Sequence, residues 1–133
     1  MDSETPPRPT DAEIAILRVL WARGAATVRE VHEALKGERG TGYTTVLKLM
    51  QIMTEKGLVE RDVSRRSHVY RARVGETETQ DQLVDDLVLK AFGGSATRLV
   101  MRALKTAETS REELESLRSL LNSLARARDG EEA

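Results

Sequence analysis

The fold is decided by residues 41–73, which read TGYTTVLKLMQIMTEKGLVERDVSRRSHVYRAR. Apolar residues recur in its first part at helical spacing, so the pattern predicts a helix that starts near Thr41–Tyr43 and ends at Gly57. The apolar positions are Val46, Leu47, Met50 and Met53. Two short runs follow, Leu58–Arg61 and His68–Arg73, both containing β-branched or aromatic residues. Because they flank a polar loop, they predict a β-hairpin.

Two capped helices precede this stretch. Each opens with a Thr-x-x-Glu pattern, at Thr10 and at Thr27, which is the spacing of a capping box. Apolar residues follow each cap at helical spacing, and glycines at Gly24 and Gly37 are expected to end the two helices. The order helix, helix, helix, hairpin is that of a winged helix-turn-helix, whose third helix can enter the major groove of DNA.

The second half of the chain predicts further helices. Residues 76–82 are acidic and polar and form either a linker or a helix start, and Gly93–Gly94 interrupt the helical pattern. Ser110 opens a last helix whose leucines are spaced by 3, 4 and 3 residues, as in a coiled-coil seam. The tail after Arg126 is charged, so we expect it to fray. The residues predicted to form a dimer interface are Leu83, Leu87, Phe92, Leu99, Leu114, Leu117, Leu121 and Leu124.

These patterns define the expected organisation. The fold class is mainly α with a small β-hairpin: a winged helix-turn-helix followed by an α-helical dimerisation region. We expect a disordered lead-in at residues 1–9, a winged-helix DNA-binding domain at residues 10–75, and a helical dimerisation region with a charged tail at residues 76–133.

Composition excludes several classes of protein. Hydrophobic residues make up 39% of the chain and charged residues 32%, which is typical of a folded, soluble protein. No apolar run approaches the ~20 residues of a membrane span. The lack of cysteine excludes disulfides and thiolate chemistry. The polar, proline-rich start is not a secretory signal, so we expect a cytoplasmic protein without a membrane partner.

Positive charge is concentrated in the predicted third helix and hairpin. The net charge of the chain is −1, yet residues 39–73 hold 8 Lys/Arg against 3 Asp/Glu. A local basic stretch indicates an anionic partner for that stretch, although a solvated surface accounts for the charge equally well on this ground alone. Threonine and lysine at a helix start suit phosphate oxygens and base edges, and arginines at a hairpin tip suit the DNA backbone. The predicted DNA-binding residues are Thr41, Tyr43, Thr44, Thr45, Lys48, Gln51, Arg65 and Arg66.

Catalytic and metal sites are not predicted. The two histidines, His32 and His68, lie on different elements, and the adjacent acidic pairs Asp85–Asp86 and Glu112–Glu113 do not face each other on a helix. We therefore expect neither an enzyme nor a bound metal or cofactor. The alternative to a DNA-binding protein is a protein-interaction module that uses the winged helix and the leucine seam without sequence-specific DNA binding.

Five short segments within the first half form a family pattern. They are Thr10–Glu13 (TDAE), Leu17–Trp21 (LRVLW), Tyr43–Leu47 (YTTVL), Glu55–Val59 (EKGLV) and Val69–Ala72 (VYRA). In this order and spacing they resemble the BlaI/MecI penicillinase-repressor family of winged-helix transcriptional regulators. The second half is similar in layout only.

The resemblance implies a mode of action. Members of the family are dimers that bind dyad-symmetric operators and repress transcription, many of them at β-lactamase or cell-wall genes beside a sensor-protease gene. The resemblance also implies a partner, a sensor protease that cleaves the repressor in its C-terminal region, commonly at an Asn-Phe bond. This chain has no Asn-Phe bond, and Arg102–Ala103 aligns with that position. The copper-responsive branch is excluded, because it requires cysteines.

Overall fold

The structure is a computed structural model that describes residues 8–132, apart from the side chains of residues 38, 39 and 132. The elements are α1 (Asp11–Arg23), α2 (Val28–Arg39), α3 (Tyr43–Lys56), β1 (Val59–Asp62), β2 (Val69–Ala72), α4 (Glu76–Ala91), α5 (Ala96–Thr106) and α6 (Arg111–Glu132). This confirms the predicted winged helix followed by a helical region. Most of the expected disordered lead-in, residues 1–7, lies outside the described residues.

Local hydrogen bonds explain where the helices begin. The hydroxyl oxygens of Thr10 and Thr27 accept from the amides of Glu13 and Glu30, at 3.2 and 3.1 Å. Each glutamate accepts in return from the amide of its threonine at 2.9 Å, which completes the predicted capping boxes. The bond from the Thr27 amide holds the pKa of the Glu30 carboxyl below its ordinary value. The charged Glu30 carboxylate therefore stabilises the fold at pH values above the ordinary pKa of glutamate. This stabilisation is lost as the pH falls through the lowered pKa.

Two predicted helix ends are wrong. Helix α2 continues through Gly37 and ends at Gly40, whose φ of 63° provides the left-handed exit. A glycine inside a helix costs only about 1 kcal/mol, so Gly37 weakens α2 without ending it. The predicted fraying after Arg126 is also wrong, because α6 extends to Glu132 with alanines and charged residues that favour helix. Residues 76–82, for which the sequence allows either a linker or a helix, form the start of α4.

A single apolar core holds the winged helix together. It is formed by one face of each of the first three helices, by β1 and by Tyr70 of β2. The fully buried members are Ile16, Leu17, Leu20, Val31, Val46, Met50, Met53, Leu58, Val59 and Tyr70. Burying each such side chain contributes roughly 1.5–3 kcal/mol, so this core fixes α3 in position.

The hairpin is attached to the helices by backbone hydrogen bonds. Its two strands pair antiparallel, with Val59 opposite Ala72. Ala26, between α1 and α2, exchanges two hydrogen bonds with Tyr70, at 2.9 and 2.8 Å. The indole Nε1 of Trp21 donates to the carbonyl of Val74 at 2.9 Å. The wing is therefore held at both ends of β2.

A buried ion pair joins the start of α1 to the end of α3. The Nζ of Lys56 donates to both carboxylate oxygens of Glu13 at 2.9 Å. The side chain of Glu13 is only 2% exposed, and that of Lys56 is 27% exposed. Glu13 thus acts in the helix cap and in a tertiary contact across 43 residues of sequence.

The chain divides into two compact units within α4, between Leu83 and Val84. Among the described side chains of residues 84–131, none is fully buried. Leu114, Leu121 and Leu124 are each about half exposed, at 48%, 60% and 53%. None of the helices in residues 8–132 is long and apolar enough to cross a bilayer.

We expect Lys56→Met to lower the free energy of unfolding by about 2 kcal/mol, measured by urea denaturation. Removing one partner of a buried pair typically costs ~3–5 kcal/mol, and partial exposure of Lys56 reduces that cost. Lys36→Met is the matched control, because Lys36 is exposed and lies 3.7 Å from Glu33. The control should change stability by less than about 0.5 kcal/mol. Equal losses of stability in the two variants would show that the Lys56–Glu13 pair stabilises the fold no more than an exposed ion pair does.

Candidate nucleic-acid interface

Helix α3 presents two chemically different faces. Val46, Met50 and Met53 are buried in the core. The opposite side is exposed and carries polar or cationic groups, namely Thr44, Thr45, Lys48 and Gln51. Because the inward face is fixed by packing, the outward groups are presented on a rigid element.

The start of α3 lacks the side-chain cap that opens α1 and α2. Its N-cap is Gly42, and none of the described side chains accepts a hydrogen bond there as a cap. Thr41 precedes it and is half-buried, and Tyr43 is 46% exposed. The threonines therefore do not serve as the cap of this helix. The first-turn amides of a helix have no intrahelical partner, and together with the helix dipole they favour an anion such as a phosphate.

A short basic loop forms the tip of the wing. The Oδ1 of Asp62 accepts from the hydroxyl of Ser64 at 2.7 Å and from its amide at 2.9 Å. These two bonds hold the pKa of the Asp62 carboxyl below its ordinary value, and the bond from the hydroxyl has the larger effect. Arg65 and Arg66 follow this turn and are exposed. Folding of the turn leaves both guanidinium groups available to solvent or to a ligand.

A groove connects α3 to the wing. It has a volume of about 360 Å³ and is lined by residues of α2, α3 and the hairpin, among them Arg29, Tyr43, Arg66 and His68. Two of the predicted DNA-binding residues, Tyr43 and Arg66, therefore share one concave surface. The ring of Tyr43 also contacts His32 of α2 edge-to-face, with 5.9 Å between ring centroids. This contact orients Tyr43 from the neighbouring helix.

Two basic residues of this groove, Arg29 and His68, were not among the predicted binding residues. Arg29 lies in the first turn of α2, and His68 immediately precedes β2. The sequence does contain a signal for Arg29. The helix dipole disfavours a cation in the first turn of a helix, so an arginine at this position indicates a role outside the helix itself. His68 carries no comparable signal, because its position depends on how the hairpin packs.

The described residues do not form a metal site. Within residues 8–132, no cluster of three or more His, Asp or Glu side chains is arranged to hold an ion. The geometry of this surface, with cations and hydroxyls around a groove, is instead suited to a polyanion.

The sequence pattern of the penicillinase repressor family matches residues 9–123, most of the chain. The chain belongs to the penicillinase repressor family. The match confirms the resemblance drawn from the sequence. It also identifies the chain as a transcriptional repressor of the DNA-binding winged-helix type and not an enzyme.

Individual relatives agree with the family assignment. The methicillin resistance regulatory protein MecI of Mammaliicoccus sciuri is 22% identical over 113 residues, covering 85% of this chain and 92% of that protein. The transcriptional regulator BlaI of Mycobacterium tuberculosis is 39% identical over 83 residues, covering 62% of this chain and 57% of that protein. The solution structure of the DNA-binding domain of the repressor BlaI superimposes with a TM-score of 0.50 at 21% identity, over 57% of this chain and 93% of that one. At this identity the structural match supports the winged-helix fold alone.

Proposed function

We propose that this repressor acts as a homodimer on a dyad-symmetric operator in the cytoplasm, and that its target genes serve β-lactam resistance or the response to cell-wall stress. The target class is supported by the relatives' descriptions as penicillinase repressor and methicillin resistance regulatory protein. The winged helix then reads DNA, and the helical second half pairs the two copies.

One observation carries the DNA-binding part. The exposed face of α3 and the basic wing belong to one unit, and Tyr43 and Arg66 line the same groove. Thr44, Thr45, Lys48 and Gln51 occupy the solvent side of a helix of 14 residues, which is long enough to lie in a major groove. In this arrangement α3 contacts base edges and nearby phosphates. Arg65 and Arg66 contact the backbone.

The dimer is supported by the lack of a core among the described residues of the second unit. Of the four seam leucines of α6, Leu114, Leu121 and Leu124 are exposed and Leu117 is half-buried. Full burial of such a side chain contributes roughly 1.5–3 kcal/mol. Of the predicted interface residues outside α6, Leu87 is exposed, and Leu83, Phe92 and Leu99 are half-buried. A second copy with the same apolar faces is the simplest partner that buries all of them.

A sensor protease that acts on the C-terminal region is also part of the proposal. The aligned bond, Arg102–Ala103, lies inside α5, and both residues are exposed. A helical backbone is held by its own hydrogen bonds, so cleavage at this bond requires α5 to open locally first.

Binding to DNA is tested first by a gel shift with genomic fragments, repeated at raised salt. On the operator that emerges, Thr45→Ala should change the preference at one base pair, at a cost of about 1–3 kcal/mol. Arg65→Ala should weaken binding to all DNA sequences alike. It should also reduce by about 1 the slope of log affinity against log salt concentration. Arg18→Ala, an exposed cation of α1, is the control and should leave both quantities unchanged. If only Arg65→Ala alters base preference, α3 is not the reader.

The symmetry of the operator is tested by footprinting. A two-fold dimer should protect two inverted half-sites whose centres are separated by one turn of DNA, about 10 base pairs, or by a multiple of it. A single asymmetric footprint on the preferred fragment contradicts the dyad.

The leucine seam is tested by Leu117→Asp combined with Leu121→Asp, which should convert dimers to monomers in light scattering. The control is Ser116→Asp with Ser119→Asp, which adds the same charge on the side of α6 away from the seam. The control should remain a dimer. A dimer in the leucine variant would show that the seam packs within its own chain.

A further inference from the structure

Helix α5 carries a stripe of positive charge. Arg98, Arg102 and Lys105 are spaced by 4 and 3 residues, which places them on one helix face, and all three are exposed. They line a groove of about 390 Å³ together with Phe92 and Met101. No described side chain forms an ion pair with any of the three.

Helix electrostatics accounts for Lys105, which lies in the last turn of α5, but not for Arg98. Arg98 lies in the first turn of α5, where the helix dipole disfavours a cation, and α5 has no acidic residue of its own. Like charges three and four residues apart on one helix face destabilise the helix modestly, and an anionic surface against that face would offset this cost.

Helix α4 carries the complementary stripe. Glu78, Asp81 and Asp85 are spaced by 3 and 4 residues along one face, and all three are exposed. No ion pair joins any of these carboxylates to a cation of the described part of the chain, whereas the neighbouring Asp86 pairs with Lys90 at 3.1 Å. Glu78 accepts from the amide of Gly75, at 3.3 Å, and this neutral donor leaves its charge available.

We propose that the two stripes pair between copies: α4 of one copy lies antiparallel along α5 of the second copy. This inference rests on the homodimer proposed above and deepens it. The spacing of 3 and 4 on α4 meets the spacing of 4 and 3 on α5 when the helices run in opposite directions. In that register Glu78 faces Lys105, Asp81 faces Arg102 and Asp85 faces Arg98. A two-fold axis repeats the contact, which gives six ion pairs in the dimer.

Apolar side chains at the edges of the stripes support a packed contact. Val84, three residues after Asp81, is 47% exposed, and Met101, three residues after Arg98, is 60% exposed. Each stripe therefore has an apolar border that helix–helix contact would remove from water. The antiparallel direction matches all three positions, whereas a parallel arrangement would offset the middle pair by one residue.

Charge reversal on each stripe tests the proposal. Variant A carries Asp81→Arg and Asp85→Arg, and variant B carries Arg98→Glu and Arg102→Glu. Each alone places like charges at two positions of both contacts, so its dimer dissociation constant should rise on the order of 100-fold. An equimolar mixture of A and B restores opposite charges at both contacts, and a heterodimer should form with nearly the original affinity.

Two controls separate loss of this contact from a general effect of charge and from misfolding. Arg18→Glu with Lys36→Glu reverses the same number of exposed cations on α1 and α2, away from the proposed interface, and should leave the dimer intact. Circular dichroism monitors folding, and a chain that carries all four substitutions of A and B should dimerise normally. The salt dependence of dimerisation of the unchanged protein is an independent measurement, and its dissociation constant should rise with salt.

Four outcomes overturn the inference. If variants A and B each dimerise like the unchanged protein, the contact is excluded. If the four-substitution chain dimerises but the mixture of A and B does not, the two stripes pair within one chain. If B keeps its dimer but loses DNA affinity and salt slope, the cationic stripe contacts DNA instead. If the unchanged protein is a monomer, the proposed homodimer itself fails, and this result is distinct from the other three.

Discussion

The backbone bridge between Ala26 and Tyr70 is the contact on which the proposed DNA-binding surface depends. A two-stranded hairpin alone is marginally stable in water, and the loop between β1 and β2 is polar and exposed. The two hydrogen bonds to Ala26 give the hairpin a short third partner, and the ring of Tyr70 is buried in the core. The wing is thereby fixed relative to the start of α2, so Arg29, Tyr43 and Arg66 line one groove.

The two units solve the problem of apolar burial differently. The winged helix encloses its own core, with residues such as Met50 and Leu17 fully buried. The second unit leaves its leucines half exposed and buries none of its described side chains completely. Folding of a chain costs roughly 1–2 kcal/mol of backbone entropy for each residue, and apolar burial is the main term that offsets it. The proposed homodimer would supply the apolar burial that the described residues of the second unit lack.

Local signals made most of the fold predictable from the sequence. The caps at Thr10, Thr27 and Ser110 depend on residues three positions apart, and the structure contains all three. Contacts between distant residues carried no such signal. Lys56 meets Glu13 across 43 residues, and nothing in the spacing of either residue indicates the pair. The end of α2 was misplaced because Gly37 and Gly40 look alike in sequence, and of these two only Gly40 adopts a positive φ.

Dimerisation and operator binding are coupled through α4 in the proposed assembly. Trp21 fixes the carbonyl of Val74 at 2.9 Å, and the buried Thr79 donates its hydroxyl to the carbonyl of Gly75 at 2.7 Å. The chain is therefore held where it leaves the wing and enters α4, and α4 continues into the second unit. A dimer that reads two half-sites must keep its recognition helices at a fixed spacing. A change that weakens the pairing of the second units then lowers operator affinity even when no DNA-binding residue changes. The reason is that the free energy of dimerisation contributes to the total free energy of operator binding.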